Sequence, residues 1–289
     1  MAANQDAYFL PHGTKWPIMG SIGLTLLLAG FASKLNGASA GGRFMIAGVI
    51  VVIAMMFLWF GQVIGESESG SYNKQVDLSF RWGMGWFIFS EVMFFAAFFG
   101  ALYYARILSV PWLGGEGAGG VSTNPVLWPN YEAAWPTNGP GNVGGAFDAM
   151  PAWGIPALNT VILLSSGVTV TFAHWAILKD RRPQFVLWLL ATVTLGFLFV
   201  GLQAHEYFEA YTQMNLKLST GVYGSTFFML TGFHGAHVTI GAIMLTTMML
   251  RGIKGHFSAK NHFAFEAAAW YWHFVDVVWL GLFIFVYWL

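Results

Sequence analysis

Residues Glu266 to Leu280 read EAAAWYWHFVDVVWL, and the chain continues to Leu289 without another charged residue. The stretch is almost entirely apolar and aromatic, yet it contains a glutamate, a histidine and an aspartate. At 100° per residue, Glu266 and His273 lie about 20° apart around a helix, and Asp276 lies about 60° further round. We therefore predict a helix with one narrow ionisable face, which faces neighbouring helices, while its tryptophans point elsewhere.

The whole composition indicates a membrane protein. The 289 residues are 56% hydrophobic and only 9% charged, whereas a soluble domain has about 25% charged residues. A net charge of zero argues against a nucleic-acid-binding protein. The absence of cysteine excludes disulfides, thiolate metal sites and cysteine nucleophiles. The N-terminal stretch before Trp16 does not resemble a cleaved signal peptide, so we expect the first apolar segment to remain as a span.

Seven segments contain the roughly 20 apolar residues that a membrane-crossing helix needs. We therefore expect an all-α, polytopic protein. The connection at 109–153 is rich in Gly and Pro and predicts no regular helix. Connections of this length are commonly functional or flexible. The aromatic residues suggest contact with the membrane surface, and the alternative interpretation is an insertion without chemistry. The predicted spans are 16–36, 43–65, 82–108, 154–178, 185–208, 222–250 and 265–288.

The distribution of Lys and Arg predicts the orientation. Nine of them lie on the side of the N-terminus and four on the opposite side, which places the N-terminus in the cytoplasm or the mitochondrial matrix. We expect the C-terminus on the outer side. No internal repeat is evident, so the sequence does not support an inverted-repeat transporter.

Two further spans carry polar residues. Glu91 stands among aromatic residues about 15 Å from Arg81 by helix rise, and two interpretations are open: a proton-handling group, or a neutral acid hydrogen-bonded across a helix interface. In GFHGAHVTIG, His234 and His237 have a spacing that a metal site could use, but without a third ligand we favour buried, hydrogen-bonded histidines. Asp276 needs a partner or a proton in the membrane, and its partner is either His273, one turn earlier, or a residue of another helix.

Residues near the cytoplasmic ends of the spans suggest contact with lipid. Trp59 has the position of an aromatic-belt residue near Glu66. Arg251 and Lys254 follow the sixth span, where basic residues commonly meet lipid phosphate.

These stretches together resemble subunit III of cytochrome c oxidase, in the haem–copper oxidase family. The resemblance runs from about Trp16 to Leu289, in the order of the family, and misses only the long connection. The matching stretches are GMGWFIFSEVMFF, LNTVILLSSGVTVTFAHW, GLQAHEY, VYGSTFFMLTGFHGAHVTIG and FEAAAWYWHFVDVVWL.

The resemblance implies a core subunit of a proton-pumping oxidase with no catalytic site or cofactor of its own. Haem A and copper would lie in subunits I and II, cytochrome c would donate the electrons, and this chain would contact subunit I directly. It would support proton uptake, stabilise the oxygen-reducing site and bind phospholipid. The length of the long connection resembles bacterial members, which implies a bacterial inner membrane and a periplasmic C-terminus.

The resemblance also implies an organisation in two bundles. Residues 1–65 would form a tail and a two-helix bundle, 66–81 a linker on the cytoplasmic side, and 82–289 a five-helix bundle with the external loop at 109–153. Spans one and two would be separated from spans three to seven by a V-shaped cleft filled with phospholipid.

The same resemblance assigns roles to individual residues. Glu91 matches the buried carboxylate that reacts with hydrophobic carbodiimides. The lipid-contacting positions would be Trp59, Glu66, His237, Arg251 and Lys254. Glu266, His273 and Asp276 match the signature of the last helix, and we expect them to form a buried polar network with partners such as His234 or His237. No metal site is expected.

Two other functions remain open from the residues alone. One is a stand-alone proton or ion transporter that uses Glu91 and Asp276, although the outer halves of spans three and seven are nearly apolar. The other is a haem-binding subunit, for which the histidine spacing offers no facing axial pair.

Overall fold

The computed structural model describes residue 9 and residues 13–288, and the described chain is helical, with no strand in that part. Short π-helical turns follow two of the helices, at Tyr104–Ser109 and Phe283–Trp288. The helices are α1 (Trp16–Leu35), α2 (Gly41–Glu68), α3 (Lys74–Tyr103), α4 (Val110–Leu113), α5 (Gly117–Leu127), α6 (Ile155–Leu178), α7 (Arg182–Thr212), α8 (Gly221–Lys254) and α9 (Phe263–Leu282).

The seven predicted spans are confirmed as seven helical segments long and apolar enough to cross a membrane. Most of them extend beyond the apolar run into polar sequence. Helix α7 begins at Arg182, with Pro183 in its first turn, where the missing N–H and fixed φ of proline are favourable. Helix α8 continues to Lys254 and ends at Gly255, whose φ of 82° provides the left-handed cap that glycine adopts without strain.

The connections contain more helix than the sequence predicted. Of the expected linker 66–81, only 69–73 lies outside α2 and α3. The third span continues through the π-helical turn into α4, and α5 follows within the connection that was expected to lack a regular helix. The two side-chain N–H groups of Asn124 are shared among the carbonyls of Leu113, Trp128 and Tyr131. These contacts tie α5 to the residues on either side of it.

The chain divides into two compact units, residues 1–82 and 83–289. In the first unit, glycines allow the backbones of α1 and α2 to approach closely. A Cβ atom at Gly48 would lie 2.5 Å from the backbone N of Leu27, and one at Gly41 would lie 2.5 Å from that of Lys34. Small residues at such contacts hold membrane helices together through close packing, because lipid provides no hydrophobic driving force between them.

Helix α9 is the most buried helix of the second unit and carries two fully buried tryptophans. A Cβ atom at Gly196 of α7 would lie 2.6 Å from the Trp272 ring, and one at Gly241 of α8 would lie 2.9 Å from it. The indole N–H of Trp272 donates to Ser166 of α6 at 2.9 Å. These glycines and this hydroxyl position α9 against three helices, and the position of α9 in turn fixes the polar residues described next.

Candidate functional site: histidine–carboxyl pairs

The structure brings Glu91 of α3 and His237 of α8 together. The distance from Glu91 Oε2 to His237 Nε2 is 2.9 Å, and the two side chains are 21% and 14% exposed. The other ring nitrogen, Nδ1, lies 2.6 Å from the carbonyl oxygen of Phe233. The pair therefore links α3 to α8 inside the second unit.

The hydrogen bonds of His237 determine the proton content of this pair. The Phe233 carbonyl can only accept, so Nδ1 must carry a proton. The Glu91–His237 contact then holds one proton in either arrangement: a carboxylic acid donates to a neutral imidazole, or an imidazolium donates to a carboxylate. The pair has no net charge in both cases, which suits a site of low solvent exposure.

Aromatic rings surround the His237 imidazole. The nearest centroid is that of Phe95, at 5.0 Å in an edge-to-face arrangement, and the Tyr271 ring is stacked at 6.3 Å. Such rings provide a favourable apolar environment for an uncharged imidazole and fix its orientation. The remaining aromatic neighbours of His237 are Phe94 and Phe274.

A second pair lies on the polar face of α9. His273 Nδ1 lies 3.4 Å from Asp276 Oδ2, as the i,i+3 spacing predicted. Its Nε2 lies 3.5 Å from the hydroxyl of Thr171 in α6. The Asp276 side chain is 9% exposed, whereas that of His273 is 48% exposed. The expectation that this face points into the bundle is therefore wrong for His273, since the tryptophans occupy the interior.

The expected partners of the α9 network are also different. His234 is fully buried and bonds through Nε2 to the carbonyl of Val275 at 3.0 Å, and His237 is occupied by Glu91. Neither histidine is the partner of Asp276. Glu266 lies half-buried in the first turn of α9, where a carboxylate interacts favourably with the helix dipole.

In the first unit, Glu66 connects three parts of the chain. Its Oε1 accepts from the amide of Gln62 and its Oε2 accepts from the phenol of Tyr72, both at 2.7 Å. Gln62 in turn accepts from the indole N–H of Trp16 at 2.7 Å. Partial burial and the Glu66 carboxylate both raise the pKa of the Tyr72 phenol. This Glu66 cluster closes the turn between α2 and α3.

The other residues expected to contact lipid differ in exposure. Trp59 is exposed and stacks on Phe60, and Lys254 is exposed in the last turn of α8. Arg251 is buried, with its guanidinium 4.7 Å from the Phe257 ring centroid. The predicted contact of these residues with phospholipid remains a prediction.

Sequence reasoning missed a third buried polar contact. Glu206 of α7 is fully buried, and its Oε1 accepts from the phenol of Tyr287 at 2.6 Å. Nothing in the sequence indicated this contact, because Tyr287 lies 81 positions from Glu206 in the chain. The acceptor roles of Phe233 and Thr171 were likewise not predictable, since a backbone carbonyl or a single hydroxyl leaves no pattern.

Within residue 9 and residues 13–288, no group of three or more His, Asp or Glu side chains could hold a metal ion. His234 and His237, whose spacing raised the possibility of a metal site, are hydrogen-bonded to Val275 and Glu91 instead.

Comparison with known proteins identifies the family. The sequence profile described as "Cytochrome c oxidase subunit III" matches residues 6–289. Proteins named cytochrome c oxidase subunit 3 are similar over nearly their full length. The protein of Marchantia polymorpha is 42% identical, covering 99% of this chain and 97% of its own. That of Carassius auratus is 40% identical, covering 100% and 99%, and that of Arabidopsis thaliana is 40% identical, covering 99% and 97%. The chain therefore belongs to the cytochrome c oxidase subunit III family.

Proposed function

We propose that this chain is a non-redox core subunit of a proton-pumping cytochrome c oxidase. It would contact subunit I directly, assemble with subunit II, and leave electron transfer from cytochrome c to haem A and copper in those partners. Its contribution would be to stabilise subunit I, to support proton uptake and to bind phospholipid.

The observation that carries the proposal is the Glu91–His237 pair. Both members lie in one helical unit, the proton-bearing contact is 2.9 Å long, and the second imidazole nitrogen is fixed by Phe233. A pair of this kind holds a proton within the membrane without adding net charge, which supports a role beside a proton-handling enzyme. It also favours this function over a stand-alone transporter, because Asp276 pairs with a different histidine and is not joined to Glu91 by these hydrogen bonds.

Phospholipid binding is supported by exposed side chains in the expected positions. Trp59 offers an aromatic surface in the first unit, and Lys254 offers a cation at the end of α8. Lysine close to a membrane surface attracts anionic lipid by about 1 kcal/mol. We propose both as lipid contacts, whereas Glu66 is engaged by Gln62 and Tyr72.

We further propose the inner membrane of a bacterium as the location, with a cytoplasmic N-terminus. The support for the orientation is the excess of Lys and Arg on that side. The relatives named above come from plants and a fish, so they do not support the bacterial assignment.

The experiment compares the oxidase with and without this chain in lipid vesicles. Oxygen reduction, proton release and the haem spectrum are measured over many turnovers. We expect the depleted enzyme to keep its haem spectrum and its initial oxygen reduction, but to release fewer protons and to inactivate sooner. Loss of the haem signal would contradict a non-redox role, and equal durability with equal proton release would contradict a supporting role.

A further inference from the structure

A groove of about 400 Å³ lies on the surface of the second unit between α6 and α9. Most of its lining is apolar, but the lining also includes polar side chains, which is unusual for a surface that lipid tails would cover. We call Gly167, Thr171, His273 and Asp276 the floor of the groove, and we call the apolar residues of its lining the sides: Leu164, Val168, Phe172, Trp175, Val277 and Leu280.

The floor of the groove contains incompletely satisfied polar atoms. The contact from His273 Nε2 to Thr171 is 3.5 Å long, the outer limit for a hydrogen bond. The imidazole of His273 is 48% exposed, and His273 is ten residues, or about 15 Å, from the start of α9. Asp276 Oδ1 is buried and has no hydrogen-bond partner among the described residues.

The hydrogen bonds define what this floor lacks. The Thr171 hydroxyl donates to the carbonyl of Gly167 at 2.9 Å, so toward His273 it can only accept, and Nε2 carries a proton. The His273–Asp276 contact then holds one proton, and the pair is neutral by the same argument as for Glu91 and His237. The unmet needs are a donor for Asp276 Oδ1 and a better acceptor for the Nε2–H of His273.

These needs restrict the chemistry of whatever covers the groove. A lipid tail can neither donate nor accept a hydrogen bond, and ionisable residues at this depth almost always face protein or enclosed water. A lipid headgroup stays near the membrane surface, whereas the hydrocarbon core is about 30 Å thick and His273 lies about halfway across it. A basic side chain is not required, because the pair is already neutral. A hydroxyl or carboxamide can donate and accept at once.

We propose that the groove between α6 and α9 receives a transmembrane helix of another subunit of the oxidase, which inserts a hydroxyl or carboxamide side chain against His273 and Asp276. The inference rests on the proposed function, since it takes the partner from the same complex. The apolar sides then contact the flanks of that helix, and the polar floor fixes its register. Side-chain hydrogen bonds of this kind are a common means of helix association in membranes.

The test uses the absence of cysteine from the chain. A tagged chain carrying Val277→Cys places a single thiol at the edge of the groove, where Val277 is 68% exposed. The control, Leu198→Cys, places one on the outer surface of α7 at a similar depth, where Leu198 is 48% exposed. Each thiol is coupled to a short photoreactive group, the assembled complex is irradiated in its membrane, and the adducts are mapped by mass spectrometry.

We expect the Val277→Cys adduct on a transmembrane peptide of a haem-bearing subunit, opposite a Ser, Thr, Asn or Gln residue, and the Leu198→Cys adduct mainly on lipid. Co-purification of the tagged chain with the haem-bearing subunits tests the proposed function separately. If those subunits co-purify but Val277→Cys reacts with lipid, or with a second copy of this chain, the inference is wrong and the proposed function stands. If they do not co-purify, the proposed function is wrong and the inference falls with it.

Discussion

The Glu91–His237 pair predicts a specific energetic coupling between α3 and α8. We consider Glu91→Leu and His237→Phe, the second of which keeps an aromatic ring within the surrounding aromatic side chains. Each single substitution leaves one polar partner without its 2.9 Å hydrogen bond. Such a loss costs about 1–3 kcal/mol at a buried site. The Glu91 and His237 side chains are 21% and 14% exposed, so water still solvates each of them in part. We therefore expect each single substitution to lower the free energy of unfolding by about 1–2 kcal/mol.

The double variant leaves neither partner unsatisfied at this contact, so it should cost about as much as one single variant. The coupling energy of the double-mutant cycle is then also about 1–2 kcal/mol. The assay measures the free energy of unfolding of all four forms by SDS titration in mixed micelles, followed by tryptophan fluorescence. Single costs that add to within about 0.3–0.5 kcal/mol would refute the pair.

Glu91→Gln provides the matched control for this cycle. Without a carboxylate at position 91, the His237 imidazole is neutral, with its proton held on Nδ1 by Phe233. The side-chain amide that this substitution introduces can therefore donate to Nε2 and retain the hydrogen bond. We expect Glu91→Gln to cost less than about 1 kcal/mol, well below the cost of Glu91→Leu.

Three further outcomes follow from the structure. Glu91→Ala should leave assembly intact and remove labelling of this subunit by a hydrophobic carbodiimide, and persistent labelling on a gel would show that another acid reacts. Gly48→Ala should loosen the α1–α2 contact at a cost of about 1–3 kcal/mol in the free energy of unfolding. Gly61→Ala, with open space around its Cβ position, should be neutral or stabilising in the same SDS titration. The raised pKa of Tyr72 means that the folded protein binds more protons than the unfolded chain above about pH 10. The free energy of unfolding should therefore fall as the pH rises above this value, and it should fall less steeply in Tyr72→Phe. An equal slope in the two proteins would show that the contact with Glu66 does not exist in solution.

The sequence was sufficient to predict the spans because the bilayer imposes a length and a polarity on each of them. Helix ends were less predictable. Beyond the apolar run, a helix such as α7 continues as long as capping and propensity allow, and it reaches Thr212 instead of 208. Helix α5 lies within a Gly-rich connection, where the side chain of Asn124 ties it to carbonyls on either side. Such contacts have no periodic signal in the sequence.

The polar pairs show a similar limit. The spacing of His273 and Asp276 within one helix predicted their contact, since i,i+3 neighbours share a face. The Glu91–His237 contact joins two residues that are 146 positions apart in the chain, and its geometry depends on how α3 packs against α8. The half-exposed position of His273 was not anticipated, because helical angles alone do not show that Trp272 and Trp279 occupy the interior.

The most direct test of the proposed function is purification of the complex in mild detergent through a tag on this chain, followed by a reduced-minus-oxidised spectrum. We expect a haem A signal together with two larger partner chains, and no haem signal from this chain when it is purified alone. A homogeneous, colourless preparation without partners would contradict the proposed function, and Glu91 would then be the first residue to test for proton or ion transport.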